Sequence, residues 1–267
     1  MQPVIWLLDG PERVSAETPI LRGDDLGVLR GESVFETLRI IGGQPVHLDA
    51  HLARHAISAA RLDLTLPGGW EALAHKAADG IEAGVLRLVF TRGGVGYAVV
   101  TAVPAESVRA RTQGLRVLTL TLGVTADARG RAPWLLGGVK STSYAVNMAS
   151  QRHAQALGVD DAIWLSSDGW VLEAPTSTVV LVSGERLSTP PVATGILPGT
   201  TLGALRDLVD VPEAPISAAD LAAADEVMLL GSVRGVAPVI ALDDRELGIG
   251  PLTRRLSRQF EESLASR

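Results

Sequence analysis

Lysine is the scarce cation of this chain. Of its 24 basic residues, 22 are arginines and two are lysines, Lys76 and Lys140. Arginine substitutes for lysine as a charge but not as a nucleophilic amine, so a lysine kept on an arginine-rich background marks where amine chemistry would lie. Lys76 falls in Glu71-Ala72-Leu73-Ala74-His75-Lys76-Ala77-Ala78-Asp79, a helical stretch where a solvated lysine is ordinary. Lys140 falls in Leu136-Gly137-Gly138-Val139-Lys140-Ser141-Thr142-Ser143, among small residues and beside no charged partner.

An amine nucleophile must escape protonation at a reference pKa of about 10.4. The common solution is an imine to pyridoxal phosphate. That chemistry needs an acidic residue to keep the pyridine nitrogen protonated. It also needs a phosphate cradle of amides, hydroxyls and an arginine at a helix N-terminus, and a phenol to orient the 3-oxygen of the ring. Each has a candidate. Glu173 ends Trp170-Val171-Leu172-Glu173 and precedes the turn-rich Ala174-Pro175-Thr176-Ser177. Pro198-Gly199-Thr200-Thr201 opens a helix with two hydroxyls, and Arg54 supplies a charge. Tyr144, one of two tyrosines, lies four residues after Lys140.

Three other patterns fail on spacing. Gly138-Val139-Lys140-Ser141 has Val139 where a phosphate-binding loop needs glycine directly before its lysine. Gly94-Val95-Gly96 is followed by Val99 in place of a third small residue, and by a strand rather than a helix. His47, His51 and His55 recur every four residues, but without the carboxylate of a helical zinc site, and read as a partly exposed stripe; no metal is expected.

These residues need elements to position them, and the chain alternates strands and helices without a repeat. Strands are expected at Val4–Leu8, Val34–Ile41, 85–90, 97–103 and 115–122, then at 162–166, Trp170–Glu173, Thr178–Val182, 226–230 and near Val239. Helices are expected over 47–64, 70–82 and 144–157, from Pro198 to near Val209, and from Leu252 onward. Residues 104–114 are polar, carry two arginines and show no periodicity, which predicts a linker. The expected organisation is an N-terminal α/β domain over 1–104, a linker over 105–114 and a C-terminal domain over 115–267.

Composition agrees with a globular chain: 267 residues, 46% hydrophobic, net charge −6 and no cysteine. That excludes disulfides and thiolate sites, and gives no basic footprint for nucleic acid. No apolar run approaches the roughly 20 residues of a membrane span. The N-terminus meets Asp9 and Glu12 too early for a signal peptide. A cytoplasmic protein with neither membrane nor nucleic-acid partner is expected.

Taken together, the blocks resemble the class IV aminotransferases, the fold-type IV pyridoxal-phosphate enzymes. Gly31-Glu32-Ser33-Val34-Phe35-Glu36-Thr37-Leu38-Arg39 resembles the opening block and His51-Leu52-Ala53-Arg54 the phosphate-arginine segment. Arg87-Leu88-Val89-Phe90-Thr91-Arg92-Gly93 resembles the strand before the interdomain region, and Lys140 falls on the lysine that carries the cofactor. Asp160–Leu165 with Gly169–Glu173 resembles the run that ends in the pyridine-nitrogen glutamate. Gly195-Ile196-Leu197-Pro198-Gly199-Thr200-Thr201 resembles the phosphate turn, and Gly231-Ser232 supplies a further phosphate hydroxyl. Three positions depart from the family pattern: His55 stands where leucine is common, Thr178 where asparagine is usual and Leu202 where arginine is usual.

The resemblance implies a mixed α/β (α+β) fold of two domains, the smaller N-terminal, with pyridoxal 5'-phosphate between them. It implies cofactor contacts from Arg54, Lys140, Tyr144, Glu173, Thr200, Thr201 and Ser232, with Lys140 catalytic. Arg39, Arg92 and Arg234 are implied at the substrate, which is a small amine, and a homodimer is implied as the assembly. The family holds branched-chain and D-amino acid aminotransferases and 4-amino-4-deoxychorismate lyase. The spacing Lys140-x-x-x-Tyr144-x-x-Asn147 and the arginine in Gly231-Ser232-Val233-Arg234-Gly235-Val236 resemble the lyase and its relatives, so the lyase reaction is expected, with an aminotransferase as the alternative.

Overall fold

Two units make up the chain in the computed structural model, which describes residues 1–265: Met1–Pro104 with Val139–Tyr144 form one, and the rest of the described chain forms the other. The first contains β1 (Val4–Leu7), β2 (Arg13–Val14), α1 (Leu26–Leu29), β3 (Ser33–Ile41), β4 (Gln44–Pro45), α2 (Leu48–Arg61), α3 (Trp70–Ala78), β5 (Ala83–Thr91) and β6 (Gly96–Thr101). Its strands form one antiparallel sheet in the order β2-β1-β6-β5-β3-β4.

Side chains alternate faces along a strand, so Val34, Glu36, Leu38 and Ile40 of β3 share one face. Three of these join Leu86, Leu88 and Phe90 of β5, Ala59 of α2 and Trp70 and Leu73 of α3 in the core. The fourth, Glu36, is a carboxylate on an otherwise apolar face and is fully buried. Helix α2 complements its own dipole with Asp49 in the first turn and Arg61 in the last.

The second unit contains α4 (Ala105–Gln113), β7 (Leu115–Thr121), α5 (Ala128–Arg131), α6 (Ala145–Ala156), β8 (Asp161–Leu165), β9 (Thr178–Ser183), β10 (Arg186–Ser188), α7 (Thr200–Arg206), α8 (Ala218–Ala223), β11 (Glu226–Gly231), β12 (Gly235–Leu242), β13 (Arg245–Glu246) and α9 (Pro251–Ala265). Its sheet runs β10-β9-β11-β12-β7-β8, with β13 on β12. The β12–β7 and β7–β8 pairs are parallel and the others antiparallel. Strands β9, β11 and β12 are buried along almost their whole length, which explains their near-continuous apolar sequences. Pro238 is tolerated in β12 because pairing with β7 begins only at Val239.

Two expectations change. Residues 105–113 form helix α4 rather than a linker; only Ala110 is buried on it, so no apolar period marks it in the sequence. Trp170–Glu173 is not a strand of the sheet. It runs beside β8 through Leu172 N–H to the Trp164 carbonyl and Trp164 N–H to the Glu173 carbonyl, then turns at Ala174–Ser177.

Candidate active site

The chemistry-bearing side chains fall into two groups, one in each unit. In the first, the backbone around Lys140 is stitched to β3. Phe35 N–H donates to the Lys140 carbonyl at 3.1 Å and Thr142 N–H to the Ser33 carbonyl at 2.9 Å. Lys140 N–H donates to Ser58 Oγ of α2 at 3.1 Å. So held, Lys140 Nζ lies 3.3 Å from Tyr144 Oη and 4.2 Å from the centre of the Phe35 ring. The Phe35 and Tyr144 rings meet edge to face at 5.1 Å. An amine lodged against two aromatic rings with a phenol as hydrogen-bond partner is arranged for proton exchange. Lys76, by contrast, donates to the Pro11 carbonyl at an exposed position.

Arg54 does not act alone. Its Nε and Nη2 donate to the two oxygens of Glu36 at 2.8 and 2.7 Å, and His51 Nδ1 lies 2.6 Å from Glu36 Oε2. Burial pushes the Glu36 carboxyl up, but the hydrogen bonds and charges of Arg54 and His51 outweigh it and bring its pKa down to about 2. His51 is lowered by burial against the opposing pull of Glu36. Two of the three histidines therefore depart from the expected partly exposed stripe, while His47 is half-buried. His51 and His55 are buried because this face of α2 packs on β3, and His55 stacks edge to face on Trp70 at 4.9 Å. Neither ring nitrogen of His55 makes a hydrogen bond of standard geometry among the described residues. Burial lowers its pKa to about 4.

Of the arginines expected at the substrate, Arg39 is buried in β3. Arg92 serves the fold: it donates to Glu32 Oε2 at 2.8 Å and to the carbonyls of Asp63 and Leu62 at 3.0 and 2.6 Å.

In the second unit, Glu173 is held at both oxygens. Arg129 Nη1 donates to Oε1 at 2.9 Å and Leu197 N–H donates to Oε2 at 2.9 Å. The Leu197 segment continues into Gly199, the N-cap of α7, which makes no side-chain cap bond. First-turn amides have no acceptor within their own helix, so Thr200 and the buried Thr201 open a turn suited to an anion. A β-carbon on Gly199 would collide with Thr178 Oγ1, so this turn passes another hydroxyl too closely for any residue but glycine. Ser177 Oγ is buried and without a partner among the described residues; Gly231, directly before Ser232, borders it, since a β-carbon there would lie 3.3 Å from Ser177 Oγ. A hydroxyl left in this state costs about 1–3 kcal/mol, which an acceptor brought by a ligand would recover. Arg234 Nη1 donates to the fully buried Asp161 at 2.8 Å. Asn147 donates to the Pro175 carbonyl at 2.6 Å, tying α6 to the turn after Glu173.

Taken separately, each unit offers groups that suit part of a phosphorylated pyridine aldehyde. The first offers an amine paired with a phenol. The second offers a carboxylate fixed at both oxygens and a glycine turn beside a hydroxyl without a partner among the described residues. Sequence reasoning missed Glu36 and Arg129. Glu36 could have been found as the one charge on the core face of a strand. Arg129 carries no such signal.

Comparison with known proteins agrees. The model of the family described as "Amino-transferase class IV" matches residues 33–242. The bifunctional aminodeoxychorismate lyase / D-amino acid transaminase of Mycobacterium tuberculosis is 36% identical, over 98% of this chain and 99% of its own length. A solved structure described as a hypothetical aminotransferase from Mycobacterium tuberculosis, PLP-bound form, superposes with a TM-score of 0.93 at 35% identity, covering 98% of this chain and 99% of that one. A fold IV-transaminase from Curtobacterium pusillum superposes with a TM-score of 0.87 at 34% identity, covering the whole of both chains.

Proposed function

This chain belongs to the class IV aminotransferase family, and from that membership we propose that it holds pyridoxal 5'-phosphate on Lys140 and converts 4-amino-4-deoxychorismate to 4-aminobenzoate and pyruvate. The observation that carries the reading is the Lys140 amine, 3.3 Å from the Tyr144 hydroxyl and seated over Phe35. Pyridoxal phosphate, when bound, supplies an aldehyde that condenses with amines and a ring that takes up the electron pair left when a bond at the amine-bearing carbon breaks.

The residues divide the remaining work. Lys140 Nζ would hold the cofactor at its aldehyde carbon and, as a free amine, would take the proton from the substrate's amine-bearing carbon. Tyr144 Oη shares a proton with that amine and is the donor assigned to the ring's 3-oxygen. Glu173 holds a proton on the pyridine nitrogen. Arg54, with Thr200, Thr201 and Ser232, is assigned to the phosphate, and the Glu36–His51 pair fixes the Arg54 guanidinium. The substrate of the lyase reaction carries two carboxylates. Arg234 uses one of its five donors on Asp161 and is assigned with Arg39 to that dianion. A homodimer is part of the proposal, and sedimentation at micromolar concentration tests it.

The lyase reading is supported by the bifunctional mycobacterial relative and by the Lys140-Tyr144-Asn147 spacing. That relative's second activity makes D-amino acid transamination the alternative. The two separate cleanly. A lyase releases 4-aminobenzoate and pyruvate with no amino acceptor present, whereas a transaminase given an amino donor alone loses the colour of its aldehyde-form cofactor and stops. Bleaching with D- or L-amino acids, and no 4-aminobenzoate from the chorismate-derived amine, would decide for the transaminase.

A further inference from the structure

Arg129 is one of 22 arginines and sits on α5, a four-residue helical turn with a glycine inside it. Glycine within a helix is less favourable than alanine, so its presence asks for a reason. The reason is close approach. A β-carbon on Gly130 would collide with the Ala193 carbonyl oxygen. One on Gly137 would lie 2.5 Å from the Arg129 carbonyl oxygen and 2.9 Å from Gly195 Cα, and one on Gly195 would lie 2.6 Å from Arg129 Cβ. Three glycines thus press the backbone of α5 against residues 193–195, and Gly138 N–H donates to the Gly195 carbonyl at 2.9 Å to close the junction.

Two residues beyond Gly195 stands Leu197, whose amide meets Glu173 Oε2, while Arg129 meets Oε1. The two donors on Glu173 therefore come from segments clamped to each other, and neither carboxylate oxygen can swing without breaking a bond. Both side chains of the pair are largely buried, at 20% and 11% exposure. The other arginine of α5, Arg131, pairs with Asp127 at the exposed surface. Such a pair is weak evidence of stabilisation, because desolvation offsets most of the attraction, but a carboxylate gripped at both oxygens is well suited to fixing orientation.

We propose that Arg129 is a positioning residue that, with the Leu197 amide, fixes the Glu173 carboxylate in the orientation in which it holds the proton on the cofactor's pyridine nitrogen. The proposal rests on the reading of Glu173 given above.

The test uses the holoenzyme loaded with cofactor labelled with 15N in the pyridine ring. In Arg129→Gln, borohydride should still fix the cofactor to Lys140. The 15N resonance should move toward that of an unprotonated pyridine at neutral pH, and cofactor release on dialysis should quicken about tenfold, as expected for loss of one charge-assisted hydrogen bond. Arg129→Lys, which keeps a charge but lacks the planar fork, should fall between Arg129→Gln and wild type. Added to Glu173→Gln, Arg129→Gln should change the resonance no further. A wild-type resonance and release rate in Arg129→Gln, or a full further shift in the Glu173→Gln background, would overturn the role given to Arg129. Should Arg129→Gln not fold, Arg129→Lys carries the test, and its coincidence with wild type in both readouts has the same force. A wild-type enzyme that takes up no cofactor, or holds it with the pyridine unprotonated, would instead refute the reading of Glu173.

Discussion

Replacing His55 by leucine should make the protein less sensitive to acid, by an amount the structure sets. His55 is fully buried against Trp70, and burial lowers its pKa from 6.5 to about 4. The sign follows from proton uptake. Above pH 6.5 the imidazole is neutral in folded and unfolded chains alike, and its contribution is constant. Between 6.5 and 4 only the unfolded chain takes up the proton, so stability falls as pH falls; below 4 both forms are protonated and the loss is complete. At pH 5 the loss relative to pH 8 comes to about 2 kcal/mol, and below pH 4 to about 3 kcal/mol. Glu36 does not confuse the comparison of pH 8 with pH 5, because its contribution is lost only as pH falls from its unfolded pKa of 4.5 toward its folded value of about 2, and the variant keeps it as well. Leucine keeps the site apolar and cannot titrate. Urea denaturation of wild type and His55→Leu at pH 8 and pH 5 should therefore show the wild type losing about 2 kcal/mol more than the variant. A difference below about 0.5 kcal/mol would mean that the native imidazole is protonated or partnered, and would refute the reasoning.

Three further outcomes are expected. Glu36→Gln leaves Arg54 buried without its carboxylate and should cost about 3–5 kcal/mol of stability, measured by urea denaturation, together with weaker cofactor retention. Gly199→Ala drives a methyl into the buried Thr178 Oγ1 and should cost the apo-protein about 1–3 kcal/mol, measured by urea denaturation, and raise the cofactor dissociation constant at least tenfold. Arg234→Ala leaves Asp161 buried without its cation; it should lower kcat/KM for the dianionic chorismate-derived amine more than for any monoanionic amino acid, and equal losses on both would remove Arg234 from the substrate.

What the sequence displayed and what it hid follow from how each signal is encoded. Lys140 was legible because lysine is scarce here, and Tyr144 because tyrosine is scarce as well. Strands β9 and β11 carry unbroken apolar runs because both of their faces are largely covered. Helix α4 hid itself by burying a single alanine among arginines and polar residues. Spacing showed that His47, His51 and His55 share a helix face, but not that the face lies against β3, since burial depends on which strand α2 covers. The Glu36–Arg54 pair joins residues 18 apart, and Arg129 and Glu173 join across 44, so no local pattern records either. Arg129 was further hidden among many arginines, and only the packing of Gly130, Gly137 and Gly195 singles it out.

The central claim, that Lys140 carries the cofactor, is tested most directly by reducing the purified, cofactor-loaded enzyme with borohydride and mapping the adduct by peptide mass spectrometry. The account expects one pyridoxyl group per chain, on the peptide containing Lys140, with Lys140→Ala losing it and Lys76→Ala keeping it. An adduct on Lys76, or a colourless protein that acquires no adduct when pyridoxal phosphate is added, would contradict it.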